Sequence, residues 1–197
     1  EDPEYVRINI EYEVFGFTPA EDFTGMRVLD FGCGAGASSV ILAQTTDASE
    51  IVGIDINSDS LDIARHRAEF YHIQNATFIE SPHGATLPND IGAFDAVLLS
   101  AVWEHLLPNE RWVLLPKLWE LIRPGGTIYI NQTPHRWFPV EIHTTGLPFI
   151  NYLPDWLAFL VVQMLSNRID RNETWEGLLR GGIRGGYTGE IQRILAG

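Results

Sequence analysis

Apolar residues recur at two different spacings between residues 26 and 132. Short, nearly continuous apolar runs at Met26–Phe31, Glu50–Asp55, Thr77–Glu80, Ala93–Leu99 and Thr127–Asn131 read as strands. Helical spacing separates them. Ala37–Gln44 is one such segment. A second runs from the capping residues Asn57, Ser58 and Asp59 to about His72, with Leu61, Ile63, Ala64, Ala68 and Tyr71 as its apolar positions. A third spans Pro108–Ile122, with Trp112, Leu115, Leu118, Trp119 and Ile122 on one side, and Arg123-Pro124-Gly125-Gly126 is expected to stop it. Apolar strands alternating with helices predict an α/β fold: a doubly wound, mostly parallel sheet with helices on both faces. Ligands of such sheets bind beyond the carboxyl ends of the strands. Here those ends are Asp30–Gly36, Asp55, residues 80–87, Ser100–His105 and Asn131–His135.

The pattern changes after residue 133. Pro134, Pro139, Pro148 and Pro154 punctuate a stretch rich in aromatic residues and histidine. Helices are expected over Asp155–Ser166, Glu173–Leu179 and Gly189–Leu195, and no further strand is evident. The chain therefore reads as one domain in three parts: an N-terminal cap (1–25), a sheet-forming core (26–133), and a helical, irregular region (134–197).

Composition narrows the partners. The chain has 197 residues, 45% of them hydrophobic, enough for a full core. Its 26 acidic residues against 13 basic ones give a net charge of −13. This excludes a cationic track along phosphates, so nucleic acid is not an expected partner. Cys33 is the only cysteine, which rules out an internal disulfide and fits a reducing, cytoplasmic setting. The first residues are acidic and polar, so no signal peptide is expected, and the missing initial Met suggests a trimmed fragment. The apolar stretch Trp156–Leu165 is too short to span a bilayer, which takes about 20 residues. Residues 147–165 suit peripheral membrane contact instead, or ordinary core or dimer packing.

The densest chemical signal is Val28-Leu29-Asp30-Phe31-Gly32-Cys33-Gly34-Ala35-Gly36, a strand running into a glycine-rich turn. Glycines mark many strand-to-helix turns, so alone they say little. A second strand, however, ends in Asp55 at the distance a ribose diol requires. Asp30, two residues before Gly32, adds a charge argument. It would repel a pyrophosphate laid on the turn, and it would attract a ligand carrying an ammonium and a sulfonium. A nicotinamide-dependent oxidoreductase is the alternative, but residue 37 of the Gly-x-Gly-x-x-Gly pattern is Ala, and Asp30 argues against it. A P-loop is excluded because no Gly-Lys-Ser/Thr is present.

The strand, the Asp-x-Gly-x-Gly-x-Gly turn and Asp55 resemble the class I S-adenosylmethionine-dependent methyltransferases. Ala93–Leu99, Val102-Trp103-Glu104-His105-Leu106 and Leu121-Ile122-Arg123-Pro124-Gly125-Gly126 resemble that family's fourth strand, Leu-Glu-His-Val segment and fifth-strand turn, so the likeness covers residues 24–133. It implies S-adenosylmethionine as donor and S-adenosylhomocysteine as product. Asp30 would meet the methionine ammonium, directly or through water. Gly32, Cys33, Gly34 and Gly36 would let backbone approach the methionine part, Asp55 would accept the ribose hydroxyls, Ile56 would lie beside the adenine, and Ser100 would line the methionine side. The family often has an acid after the third strand for the adenine amine; here His83 and Gly84 stand there, with Glu80 or Asp90 as alternatives.

Methyl transfer from a sulfonium needs position and exclusion of water, and a hydroxyl acceptor also needs a base. His135, Glu141 and His143 are the catalytic candidates, with His135 or His143 as base and Glu141 orienting it; a structural role in the loop is the competing reading. Trp103 and Glu104 read as helix packing and surface, and no metal site is expected. The expected acceptor is a small molecule, glycan or lipid-linked compound, methylated at oxygen. A non-catalytic cofactor-binding protein is the other alternative.

Overall fold

A computed structural model describes residues 3–197. Two compact units emerge, one of residues 3–100 and 116–132, the other of residues 101–115 and 133–197. The last of the three breaks falls where the sequence changes its pattern, at residue 133.

The first unit is built on five parallel strands: β1 (Arg27–Phe31), β2 (Glu50–Asp55), β3 (Ala76–Glu80), β4 (Phe94–Ser100) and β5 (Ile122–Asn131), in the order β3-β2-β1-β4-β5. The order reverses beside β1, which makes the glycine turn the topological switch point. Helices α1 (Pro3–Glu13), α2 (Ala37–Thr45) and α3 (Ser58–Phe70) belong to this unit. Val6, Ile10 and Val14 bury in one cluster with Val28, Ile41, Ile51, Ala96 and Leu98. Burying each such side chain is worth about 1.5–3 kcal/mol before the ordering cost is set against it.

The strands match their expected positions within a few residues, and two details differ. β5 starts at Ile122 rather than Thr127, because the Arg-Pro-Gly-Gly segment is accommodated as an irregularity: Phe94 pairs with Ile122 and Ala96 already with Thr127. α4 (Pro108–Glu120) buries Arg111, Leu114, Leu115 and Leu118. Trp112 and Trp119, expected on the inner side, are about half exposed. The observed set follows the i, i+3, i+4, i+7 rule, and the large aromatics fall just off it.

The second unit contains no strand longer than an isolated bridge. It is organised by α5 (Asp155–Leu165), α6 (Trp175–Arg180) and α7 (Thr188–Ala196). Its core joins Ile150, Ala158, Val162, Leu178 and Ile183. Arg184 is buried within it, donating to the Ile150 carbonyl at 3.1 Å and to Asp155 Oδ1 at 2.7 Å. The outer side of α5 carries Trp156, Leu160 and Met164, an exposed apolar stripe at i, i+4, i+8. No helix among the described residues is long and apolar enough to cross a membrane.

At the amino end of β4, Asp95 accepts from the Arg27 N–H at 2.8 Å and from Arg123 at 2.6 Å. Burial raises its pKa, but these contacts outweigh it and hold the carboxyl below its ordinary range. A depressed acid adds stability above its unfolded pKa and loses it as the pH falls through the folded value. Asp95→Asn should therefore destabilise the protein by about 1–2 kcal/mol at pH 7 and by much less at pH 3, measured by urea unfolding at both pH values.

Candidate functional site

The glycine turn is fastened to the end of β2. The N–H groups of Gly32 and Cys33 both donate to the Ile54 carbonyl, at 2.7 and 3.0 Å. Gly36 adopts φ +72°, and a Cβ there would meet Ala64 Cβ at 2.7 Å, so α2 starts against α3 only because this residue is glycine. Gly34 differs: a Cβ on it would meet no protein atom within 4 Å. Its backbone is open to close approach from outside.

Asp55 stands beside this opening. Its Oδ2 accepts from the Gly34 N–H at 2.8 Å and its Oδ1 from the Asn57 N–H at 2.9 Å. A carboxylate offers about four acceptor sites, so each oxygen retains capacity for one hydroxyl of a diol. Ile56, the next residue, is exposed and offers an apolar surface for a planar ring. These residues fit a ribonucleoside ligand.

Asp30 lies deeper. It is buried, and its Oδ2 accepts from Ser38 and Ser39 Oγ at 2.5 and 2.6 Å, which anchors the first turn of α2. Cys33 packs against Gly53, where a Cβ would meet its Sγ at 2.9 Å. Burial, then the charges of Asp30 and Asp55, push its thiol pKa far up, so it stays neutral and unreactive. His83 is exposed in a loop closed by Ser81, whose Oγ donates to the carbonyls of His83 and Thr86; Gly84 lies in the same loop.

Ser100 ends β4, and its Oγ accepts from Gln132 Nε2 at 2.7 Å. Gln132 has φ +57°, and its N–H donates to Glu13 Oε2 at 3.0 Å. Glu13, within the N-terminal cap segment 1–25, thus places a carboxylate at the strand ends. Its only sequence signal is the apolar spacing of Val6, Ile10 and Val14, which places α1 on the sheet.

In the second unit, the three catalytic candidates do not form one group. Glu141 is buried and accepts from the N–H groups of His143, Thr144 and Thr145 and from Thr145 Oγ1. Its carboxylate clamps its own loop and bonds the backbone of His143, not its ring. His135 is exposed and lines a cavity of about 180 Å³ with Phe138, Val140, Ile142, Ile183 and Arg184. The His143 ring lies instead beside His105, with centroids 5.6 Å apart. Glu104, expected on the surface, is buried next to them, because Trp103 before it fills the interior and the short helical turn carries both side chains inward.

The methyltransferase domain family matches residues 22–163. The chain belongs to the class I S-adenosylmethionine-dependent methyltransferase family. It is 31% identical over 160 residues to the fatty-acid O-methyltransferase of Mycolicibacterium smegmatis, covering 80% of this chain and 51% of that protein. It is 31% identical over 165 residues to the ubiquinone biosynthesis O-methyltransferase of Mesorhizobium japonicum, covering 72% of this chain and 61% of that one. The chain thus spans about half to three-fifths of the length of these relatives. Among solved structures, YcgJ from Bacillus subtilis has the same fold, with TM-score 0.61 over 98% of this chain and 66% of that one, at 18% identity.

The expected ribose role of Asp55 is tested by Asp55→Ala. The loss of charge-assisted bonds, each about 1.5–3 kcal/mol, should weaken S-adenosylhomocysteine binding roughly ten- to hundredfold by calorimetry. An unchanged affinity in a folded variant would place the ribose elsewhere.

Proposed function

We propose that this protein transfers a methyl group from S-adenosylmethionine to an oxygen of a small apolar acceptor, such as a carboxylic acid or phenol carrying a hydrocarbon part. The observation that carries the acceptor class is the 180 Å³ cavity in the second unit, walled by Phe138, Val140, Ile142 and Ile183 and bordered by His135 and Arg184. A pocket with apolar walls and one or two polar groups takes an apolar body and orients a single polar end. The names of the two relatives, a fatty-acid and a ubiquinone-biosynthesis O-methyltransferase, support the same class.

S-adenosylmethionine, when bound, supplies an electrophilic methyl group. On this reading Asp55 holds the ribose hydroxyls, Gly32, Cys33, Gly34 and Gly36 give the close backbone approach, Asp30 favours the cationic end, Ile56, His83 and Gly84 border the base, and Ser100 borders the methionine part. Arg184, whose terminal nitrogens are held by Asp155 and backbone carbonyls, offers its unpartnered Nε–H to an acceptor carboxylate, which needs no base. For a hydroxyl acceptor, His135 takes the proton. Glu141 keeps the cavity wall in shape. The Trp156, Leu160 and Met164 stripe gives the same unit a surface for drawing such acceptors from a lipid layer.

Incubation with S-adenosylmethionine and a panel of medium-chain fatty acids, alkylphenols and quinols, followed by mass spectrometry, should yield methyl esters or ethers. Ile183→Trp should abolish turnover while sparing S-adenosylhomocysteine binding. If no oxygen acceptor is methylated by protein that binds the cofactor, the reading fails. His135→Ala should lower the rate with hydroxyl acceptors by roughly 10²–10⁴-fold and leave carboxylic acids little changed. Equal loss on both would show that His135 serves position rather than proton transfer.

A further inference from the structure

We propose that Glu104, His105 and His143 form a binding site for one divalent transition-metal ion, with Zn²⁺ the best match. The ligand atoms of the three side chains, one from each, lie within 4.8 Å of one another, all inside the second unit. Two imidazoles and one carboxylate are a donor set for Zn²⁺ or a neighbouring first-row ion.

Glu104 supplies the first argument. Its side chain is buried, and its Oε2 accepts from Thr133 Oγ1 at 2.9 Å. Its Oε1 is also buried and has no hydrogen-bond partner. A buried carboxylate needs a compensating positive charge. The nearby arginines are committed elsewhere: Arg111 to Glu190 at 3.0 Å, and Arg180 to both oxygens of Glu110 at 2.6 Å.

His105 supplies the second. Its Nδ1 lies 2.6 Å from the Arg180 carbonyl, which can only accept, so Nδ1 carries a hydrogen. The other nitrogen, Nε2, points at Glu104 Oε1 from 3.8 Å. A histidine held by a backbone carbonyl through one nitrogen while the other faces a carboxylate is the arrangement that orients imidazole ligands on metals. Ligands each about 2.0–2.1 Å from Zn²⁺ lie roughly 3.3 Å apart at the tetrahedral angle, so a separation of 3.8 Å needs only a small contraction.

Gly182 supplies the third. Its φ is +88°, and a Cβ on it would fall 2.9 Å from His143 Nε2 and 3.2 Å from Glu104 Cγ. A glycine here is what lets the His143 ring approach Glu104. His143 is exposed, so it can rotate onto an ion at little cost. Three protein ligands leave a coordination position open. Its use by an acceptor oxygen rests on the methyl-transfer reading; the binding of the metal does not.

The test is titration of the chelator-treated, dialysed protein with Co²⁺, followed by visible absorption and then by Zn²⁺ displacement, with neither donor nor acceptor present. One equivalent should bind with tetrahedral-type absorption bands. His143→Ala and Gly182→Ala should each weaken binding at least about tenfold, since even the loss of an outer-shell partner costs roughly 10–100-fold. His66→Ala should not change it, and thermal melts confirm that the variants fold. Absence of stoichiometric binding, or equal affinity in wild type and His143→Ala, would overturn the site. Methyl transfer in the acceptor panel is scored separately, so either proposal can fail without the other.

Discussion

The paired bonds from the Gly32 and Cys33 N–H groups to the Ile54 carbonyl are the constraint on which the cofactor half depends. They fix the turn after β1 to the end of β2, and so bring the Gly34 N–H onto Asp55 Oδ2. Without that register, Asp55 would be an ordinary strand-end acid and Gly34 an ordinary loop glycine. The same turn needs the left-handed backbone at Gly36 to enter α2, and α2 in turn needs the Asp30 carboxylate that its two serines cap. The position of Asp55 beside Gly34 and the start of α2 therefore rest on the same few bonds.

Buried carboxylates are the second organising theme, and each is resolved differently. Asp30 is satisfied by hydroxyls at the start of α2. Glu141 is satisfied by consecutive backbone N–H groups and a threonine, the way a loop is locked. Glu104 is satisfied on one oxygen only. Since a buried charge without compensation is among the costlier features a fold can keep, the exception is where a ligand is to be sought. An acidic protein with a net charge of −13 has many carboxylates to place at its surface, which makes burying this one the more informative.

Much of the fold of the first unit was legible in the sequence, because local rules write it. Strand periodicity, glycine spacing and an acid at a strand end are short-range signals, and a parallel sheet follows from the alternation of strands and helices. The inner face of α4 was misplaced because hydrophobicity nominated Trp112 and Trp119, whereas geometry buries Arg111 and Leu114. Glu104 was read as a surface residue since nothing local marks it; its burial comes from Trp103 filling the interior and from contacts tens of residues away at Thr133 and Gly182. The grouping of His143 with His105 rather than with Glu141 has the same cause. Alternation along an extended chain would put residues 141 and 143 on one face, but the loop turns there, with Glu141 holding the N–H groups that would otherwise continue the strand.

Backbone strain points to the same ends of the sheet. Ala101 and Gln132, directly after β4 and β5, have φ of +54° and +57°, a region costly for residues with a Cβ. A cost of roughly 1–3 kcal/mol at each is kept only where the surroundings over-determine it. At Gln132 they do: its N–H is held by Glu13 and its amide by Ser100, so three elements meet in one residue. That bond uses one acceptor site of the Ser100 hydroxyl and leaves its O–H free to donate. The strain thus has a structural product, a hydrogen-bonded rim that ties Glu13, Gln132 and Ser100 together across the ends of β4 and β5.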